Sequence, residues 1–140
     1  DNFLAEKKSK QEEFRSDAED INFNLLDATD IDKEFLKKVT DVIQENLSSS
    51  TFDVVQLADA LAMSKSSLYR KTKAIIGLSP VEFIRNVRLK QGVKMLKNKS
   101  ISVSEVAYIC GFSNPKYFST CFKEEFGVTP KEFQKSDTSQ

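Results

Sequence analysis

The sequence has no histidine and no tryptophan, and only four glycines, three prolines and two cysteines in 140 residues. Each shortage closes a class of function. Without histidine there is no Ser-His or Cys-His nucleophile pair and no Cys/His zinc site. Four glycines that do not cluster build no phosphate-cradling loop. No apolar run reaches the ~18 residues of a membrane-spanning helix, and no signal peptide opens the chain. The acids sit at helix starts, where capping accounts for them. Neither an enzyme, nor a cofactor or metal site, nor membrane contact by this segment is therefore expected. Cys110 and Cys121 fall at apolar helical positions outside any CxxC pair, which reads as buried thiols in a reducing compartment.

What is present is enough for a core: 39% hydrophobic residues, eleven of the 140 being Phe. The length allows one ordinary domain or two very small ones. Net charge is zero, yet it is unevenly spread. Residues 1–31 hold nine acids and four bases, a net −5, and residues 32–140 hold twelve acids and seventeen bases, a net +5. Between Ser64 and Lys99, ten bases including Arg85, Arg88 and Lys90 face one acid, Glu82. Local potential, not total charge, attracts a polyanion. A solvated helical face is the plainer meaning of such a run.

The stretch Ser79–Lys97 organises the rest. A hydroxyl at Ser79, Pro80 next and Glu82 at the third helical position spell a helix start. The helix predicted here runs about 18 residues, or roughly 27 Å. At ~100° per residue, Phe83, Ile84, Val87 and Met95 gather on one side, and Leu89, Val93 and Leu96 on the other. Two apolar faces demand two packing partners, and the chain offers a pair that look like copies. Gly77–Phe83 (GLSPVEF) returns fifty residues later as Gly127–Phe133 (GVTPKEF). Val54, Ala58, Ala62 and Met63 match Val103, Ala107, Gly111 and Phe112 at an offset of 49, whereas Leu68 and Lys73 match Phe118 and Lys123 at 50. One residue has been gained between them, where a turn belongs. Two copies make a duplication, not a solenoid.

Each copy has a short helix with apolar residues at helical spacing: Val54, Leu57, Ala58 and Leu61, then Val103, Val106, Ala107 and Cys110. Asp53 with Gln56, and Ser102 with Glu105, are its capping signals. A tight turn follows at Ala62-Met63 or Gly111-Phe112-Ser113, and a second helix begins at Ser64 or at Asn114-Pro115. This is helix-turn-helix grammar, whose second helix can enter a DNA major groove. In the first copy Leu68, Thr72, Ile75 and Ile76 face inward, leaving Ser66, Tyr69, Arg70 and Lys73 opposite. In the second, Phe118, Cys121, Phe122 and Phe126 face inward, and Pro115, Lys116, Tyr117, Thr120 and Lys123 face outward behind Asn114. Glu124 and Glu125 lie further along, so this helix would insert by its front end. Arginine paired with guanine O6 and N7 is the commonest specific base contact.

The remaining segments are supportive. Residues 1–30 read as a charged linker or interdomain segment, with Ile21, Phe23, Leu25 and Leu26 packing locally, and the start at Asp1 reads as a piece cut from a longer chain. Ile31–Leu47 is an amphipathic helix built on Phe35, Leu36, Val39, Val42, Ile43 and Leu47. The divisions are 31–78 for the first helix-turn-helix unit, 79–98 for the linking helix, 99–136 for the second unit and 137–140 for a frayed tail.

The runs LADALAMSKSSLYRKTKAIIGLSPVEFIRNVRLKQGVKML and SVSEVAYICGFSNPKYFSTCFKEEFGVTPKEF resemble the AraC/XylS-type DNA-binding domain over about Asp32–Gln134. The first copy is most similar to the output ends of Bacteroidetes hybrid two-component regulators, where the domain follows a receiver. The resemblance implies an all-α fold of two homeodomain-like helix-turn-helix subdomains joined by a long helix, seven helices in all. It implies sequence-specific double-stranded DNA binding for transcription regulation, with two recognition helices in successive major-groove segments. The implied base-facing positions are Ser66, Tyr69 and Arg70, then Pro115, Lys116, Tyr117 and Thr120. Implied partners are duplex DNA, an upstream receiver or sensor domain in the same chain, and RNA polymerase, with dimerisation through other domains. The implied location is the cytoplasm, or the cytoplasmic side if the parent is membrane-anchored. Three residues depart from the family pattern. Ala62 replaces a turn glycine, at about 1 kcal/mol for a left-handed alanine. Thr72 replaces a large apolar residue, and Thr120 stands where arginine is common. The residues themselves leave another class open, a helical protein-interaction module without specific DNA readout.

Overall fold

The computed structural model describes residues 29–136 of the chain. The expectations for residues 1–28 and 137–140 lie outside the described residues. Among the described residues there are seven helices and no strand: α1 (Asp30–Glu45), α2 (Val54–Ala60), α3 (Lys65–Ile76), α4 (Pro80–Leu96), α5 (Val103–Ile109), α6 (Pro115–Phe126) and α7 (Pro130–Ser136). This is the all-α architecture expected.

The helix starts follow from side chains that occupy otherwise orphaned backbone donors. Thr29, Asp53, Ser64, Ser79, Ser102 and Asn114 each accept from backbone N–H groups of the following turn. At Ser79 and Ser102 the capping is reciprocal: Glu82 and Glu105 reach back to the cap N–H groups at 2.9 and 2.8 Å. Thr129 and Glu132 repeat the exchange at the head of α7. These bonds to Ser79 and Thr129 hold the Glu82 and Glu132 carboxyls below the usual carboxylate range.

The duplication is visible bond by bond. Met63 N–H donates to Ala58 O at 2.9 Å, and Phe112 N–H to Ala107 O at the same distance. Ala62 and Gly111, both left-handed with φ of 56° and 90°, occupy the same point of the two turns. The turn between α2 and α3 has four residues and that between α5 and α6 has five. The extra residue therefore sits where the change of offset placed it.

α4 is the shared member. It touches α1 and α3 on one side and α5, α6 and α7 on the other. Phe83, Ile84 and Val87 close the first core with Phe35, Leu36, Val39, Ile43, Leu57 and Leu68. Leu89, Val93 and Leu96 close the second with Val106, Ala107, Phe118, Phe122 and Phe133. Cys110 and Cys121 are free and buried in this second core, and burial pushes the Cys110 thiol up to about 12.

Four expectations are corrected. Met95 packs against the second core, its sulfur 4.0 Å from Cys110 Sγ, not beside Val87. Angular periodicity fixes the side of a helix but not the height, and Met95 lies two turns beyond Val87. Arg88 and Lys90, counted among the surface bases, are buried. α1 stops at Glu45 rather than running to Leu47. Asn46 caps its end, the side chain donating to Val42 O at 2.9 Å, and the Leu47 carbonyl just beyond accepts from Arg88.

Thr72 is a built-in defect. It is 1% exposed, at the centre of the inward stripe of α3, and its hydroxyl has no hydrogen-bond partner. An unmet buried donor costs ~1–3 kcal/mol, whereas valine has the same outline without the hydroxyl. Thr72→Val should therefore raise stability by about 1 kcal/mol in urea unfolding. A loss of stability would mean that the hydroxyl is satisfied in solution.

Candidate nucleic-acid interface

α3 and α6 are each twelve residues long, and each follows the tight turn of its copy. Their buried stripes, Leu68 with Thr72 and Phe118 with Cys121, Phe122 and Phe126, anchor them to the two cores. The opposite faces are what the fold presents to a partner. On α3, Ser66, Tyr69, Arg70 and Lys73 are all exposed, Tyr69 to 50%. Spacings of three and four residues align them in one row. The Arg70 guanidinium makes a 3.4 Å contact with Ser67 Oγ. The neighbouring base Lys71 leans away, its ammonium 4.6 Å from the centre of the Phe35 ring.

On α6, Lys116, Tyr117, Thr120 and Lys123 are exposed, while Pro115 is half-buried. Asn114 works locally: its Oδ1 accepts from the N–H groups of Lys116 and Tyr117 at 2.7 and 3.3 Å. These bonds hold the first turn in place. The Thr120 hydroxyl donates to Lys116 O at 3.1 Å, so it meets a ligand as an acceptor. The exposed predicted residues of α3 and α6 thus fall on two rows, one per copy, with Asn114 at the cap of α6 and Pro115 half-buried beside it.

Arg85 is the member that sequence reasoning passed over as one base among ten. From α4 its Nη1 donates to the Tyr117 hydroxyl at 3.4 Å, and this bond raises the guanidinium pKa above its ordinary value. The Tyr117 ring lies 6.0 Å from Phe112. Tyr117 is therefore braced at both ends, though 51% exposed. The two residues are 32 positions apart, and no local pattern announces the pair. Among the described residues, no group of three or more His, Cys, Asp or Glu side chains is placed to hold a metal ion. None of the helices there is long and apolar enough to cross a membrane.

Two exposed polar rows, each on the second helix of a helix-turn-helix, define a class of DNA-binding domain. The family model described as a helix-turn-helix domain matches residues 57–136, and the chain belongs to this AraC-type helix-turn-helix family, a family of DNA-binding transcription regulators. Histidine kinase P4 of Formosa agariphila is 34% identical over 125 residues, covering 89% of this chain but 9% of that protein. The transcriptional activator RhaS of Mannheimia succiniciproducens is 34% identical over 90 residues, 64% of this chain and 34% of the activator. The chain thus spans about a tenth and a third of these relatives. Among solved structures, the DNA-binding domain of AdpA in complex with a target DNA aligns with a TM-score of 0.67 at 29% identity, covering 72% of this chain and 90% of that one.

Proposed function

We propose that the domain reads a two-part duplex site, with α3 and α6 in successive major-groove segments. The supporting observation is the repetition itself: two equivalent helices, each fixed by a buried stripe, each carrying an exposed row of hydroxyl, aromatic and basic side chains. Ser66, Tyr69 and Arg70 are the base-facing set of the first helix, and Lys73 is its phosphate contact. Pro115, Lys116, Tyr117 and Thr120 face the bases from the second, with Asn114 and Lys123 at the flanking backbone. Residues 31–78 and 99–136 act as the reading units and 79–98 as their strut. The domain is a binding device, not a catalyst. It serves on the cytoplasmic side as the output end of a longer chain whose upstream receiver or sensor domain carries the signal; the histidine kinase relative, of which this chain covers 9%, supports a longer parent. Dimerisation through that upstream part, and contact with RNA polymerase, complete the proposal.

The test begins with selection of sites from a random duplex pool, then measures binding of wild type and Arg70→Ala to selected and random duplex across salt. Phosphate neutralisation should give a steep negative salt slope on both. Arg70→Ala should lose ~1–3 kcal/mol on the selected site, confined to one base position. An equal loss on random duplex would remove the base-reading role. No shift at any salt would leave the protein-interaction class standing.

A further inference from the structure

Arg88 is the least expected residue of the molecule. It is 6% exposed, and it stands between Val87 of the first core and Leu89 of the second. Its Nη1 donates to Leu47 O at 3.1 Å and to Cys110 O at 3.2 Å. Its Nη2 donates to Ser49 O at 3.0 Å and to Phe52 O at 3.3 Å. All four acceptors are backbone carbonyls. Three belong to the α1–α2 connection of the first copy, and the fourth ends α5 in the second.

The choice of acceptors matters. A carboxylate partner would sit on a swinging side chain, and the bond would transmit little. A carbonyl is part of the backbone, so bonding it fixes a segment. The guanidinium is planar and its donors form a rigid fork, so one side chain sets the angle between the segments it joins. Those segments are well chosen. Phe52 immediately precedes Asp53, the cap of α2. Cys110 immediately precedes Gly111, the pivot of the turn that aims α6. Gly111 is also the floor beneath the fork: a Cβ there would overlap the Arg88 guanidinium and lie 2.2 Å or so from the Leu47 carbonyl in the structure. The repeat has no second such residue in the described region, since the position fifty later is 138. A side chain that bonds to both copies serves the pair rather than either member.

We propose that Arg88 is a positioning residue that fixes the relative setting of the two reading helices and so the spacing of the half-sites they accept. The DNA part of this statement rests on the two-part reading above; the geometric part does not, and the two are tested separately. For the geometry, Asp59→Cys and Ser104→Cys put spin labels on exposed points of α2 and α5, and pulsed EPR reads the distance between them without DNA. Arg88→Met removes the charge and all four hydrogen bonds, and Arg88→Lys keeps the cation but loses the fork. A single narrow distance distribution is expected with Arg88 and a broad one with either variant. An unchanged narrow distribution in folded Arg88→Lys overturns the proposal, and this variant decides if Arg88→Met does not fold.

For the DNA, the probes are the selected duplex, the same duplex with one or two base pairs inserted between its halves, and each half alone. Two linked readers gain through effective concentration, so loosening the link should weaken the full site by ~10-fold or more while each half-site stays within about two-fold. The penalty for an inserted base pair should shrink at the same time. Equal losses on full and half-sites, or undiminished spacing selectivity, would make Arg88 a stabilising residue only. A failure of wild type to bind any selected duplex would end the two-part reading and leave the EPR result to stand by itself.

Discussion

Gly111→Ala is expected to remove about 3 kcal/mol or more of folding stability, against a gain of up to about 1 kcal/mol from Ala62→Gly. The two substitutions act on the same point of the two turns, and their signs are opposite. At Ala62 (φ 56°) the alanine already bears the left-handed penalty, and its side chain is exposed. Glycine there relieves strain and meets nothing. At Gly111 (φ 90°) alanine acquires the same penalty, ~1–2 kcal/mol. Its methyl must also displace the Arg88 guanidinium and the Leu47 carbonyl. Arg88 then leaves some of its four carbonyls unmet, those of Cys110 and Phe52 in buried bonds and those of Leu47 and Ser49 in part-buried ones, and each buried one left unmet costs ~1–3 kcal/mol. For a domain whose whole stability is ~5–15 kcal/mol, this is a large part of it. Urea unfolding of the pair of variants checks both halves, and a Gly111→Ala cost no greater than the left-handed penalty alone would mean that the fork moves aside freely.

Phe118→Ala should be as damaging, at ~3–5 kcal/mol. Phe118 is fully buried on the inner face of α6. Its ring meets Phe112 edge-on with centroids 5.0 Å apart, and Phe122 lies 5.7 Å away. On its other side α4 comes so close that a Cβ on Gly92 would stand 3.1 Å from the ring. Alanine would open a cavity that the rigid neighbours cannot fill, and α6 would lose its central tie to α4. Phe118→Leu keeps part of the volume and should cost distinctly less. Calorimetry or urea unfolding gives the energies. A mild Phe118→Ala would show that the aromatic chain from Phe112 to Phe126 closes over the gap.

Much of this was legible because it is local. A hydroxyl three residues before a glutamate, a proline at a first helical position and a glycine past a last turn each act within a few residues. The repeat offset even located the longer turn between α5 and α6. The exposed rows of α3 and α6 followed from the inward rows, since a helix has only one circumference. What escaped is long-range. Arg88 binds carbonyls 41, 39, 36 and 22 positions away, and in a run of ten bases it looks like the others. Lys90, also buried, looks like the others in that run too. Arg85 and Tyr117 meet only because α4 and α6 pack together. Met95 was assigned by angle alone, and the boundary between the cores runs across α4 rather than along it.

That boundary limits how such regulators can be recombined. On one helix, the last side chain committed to the first core is Val87 and the first committed to the second is Leu89. A chimera that joins the front of this chain to the back of a cousin has no neutral seam there, because the residue at the junction bonds to both parents. On the proposed two-part reading, new operator preferences are then more readily acquired by exchanging the outward rows of α3 and α6, most of whose side chains stand clear of the two cores, than by shuffling halves.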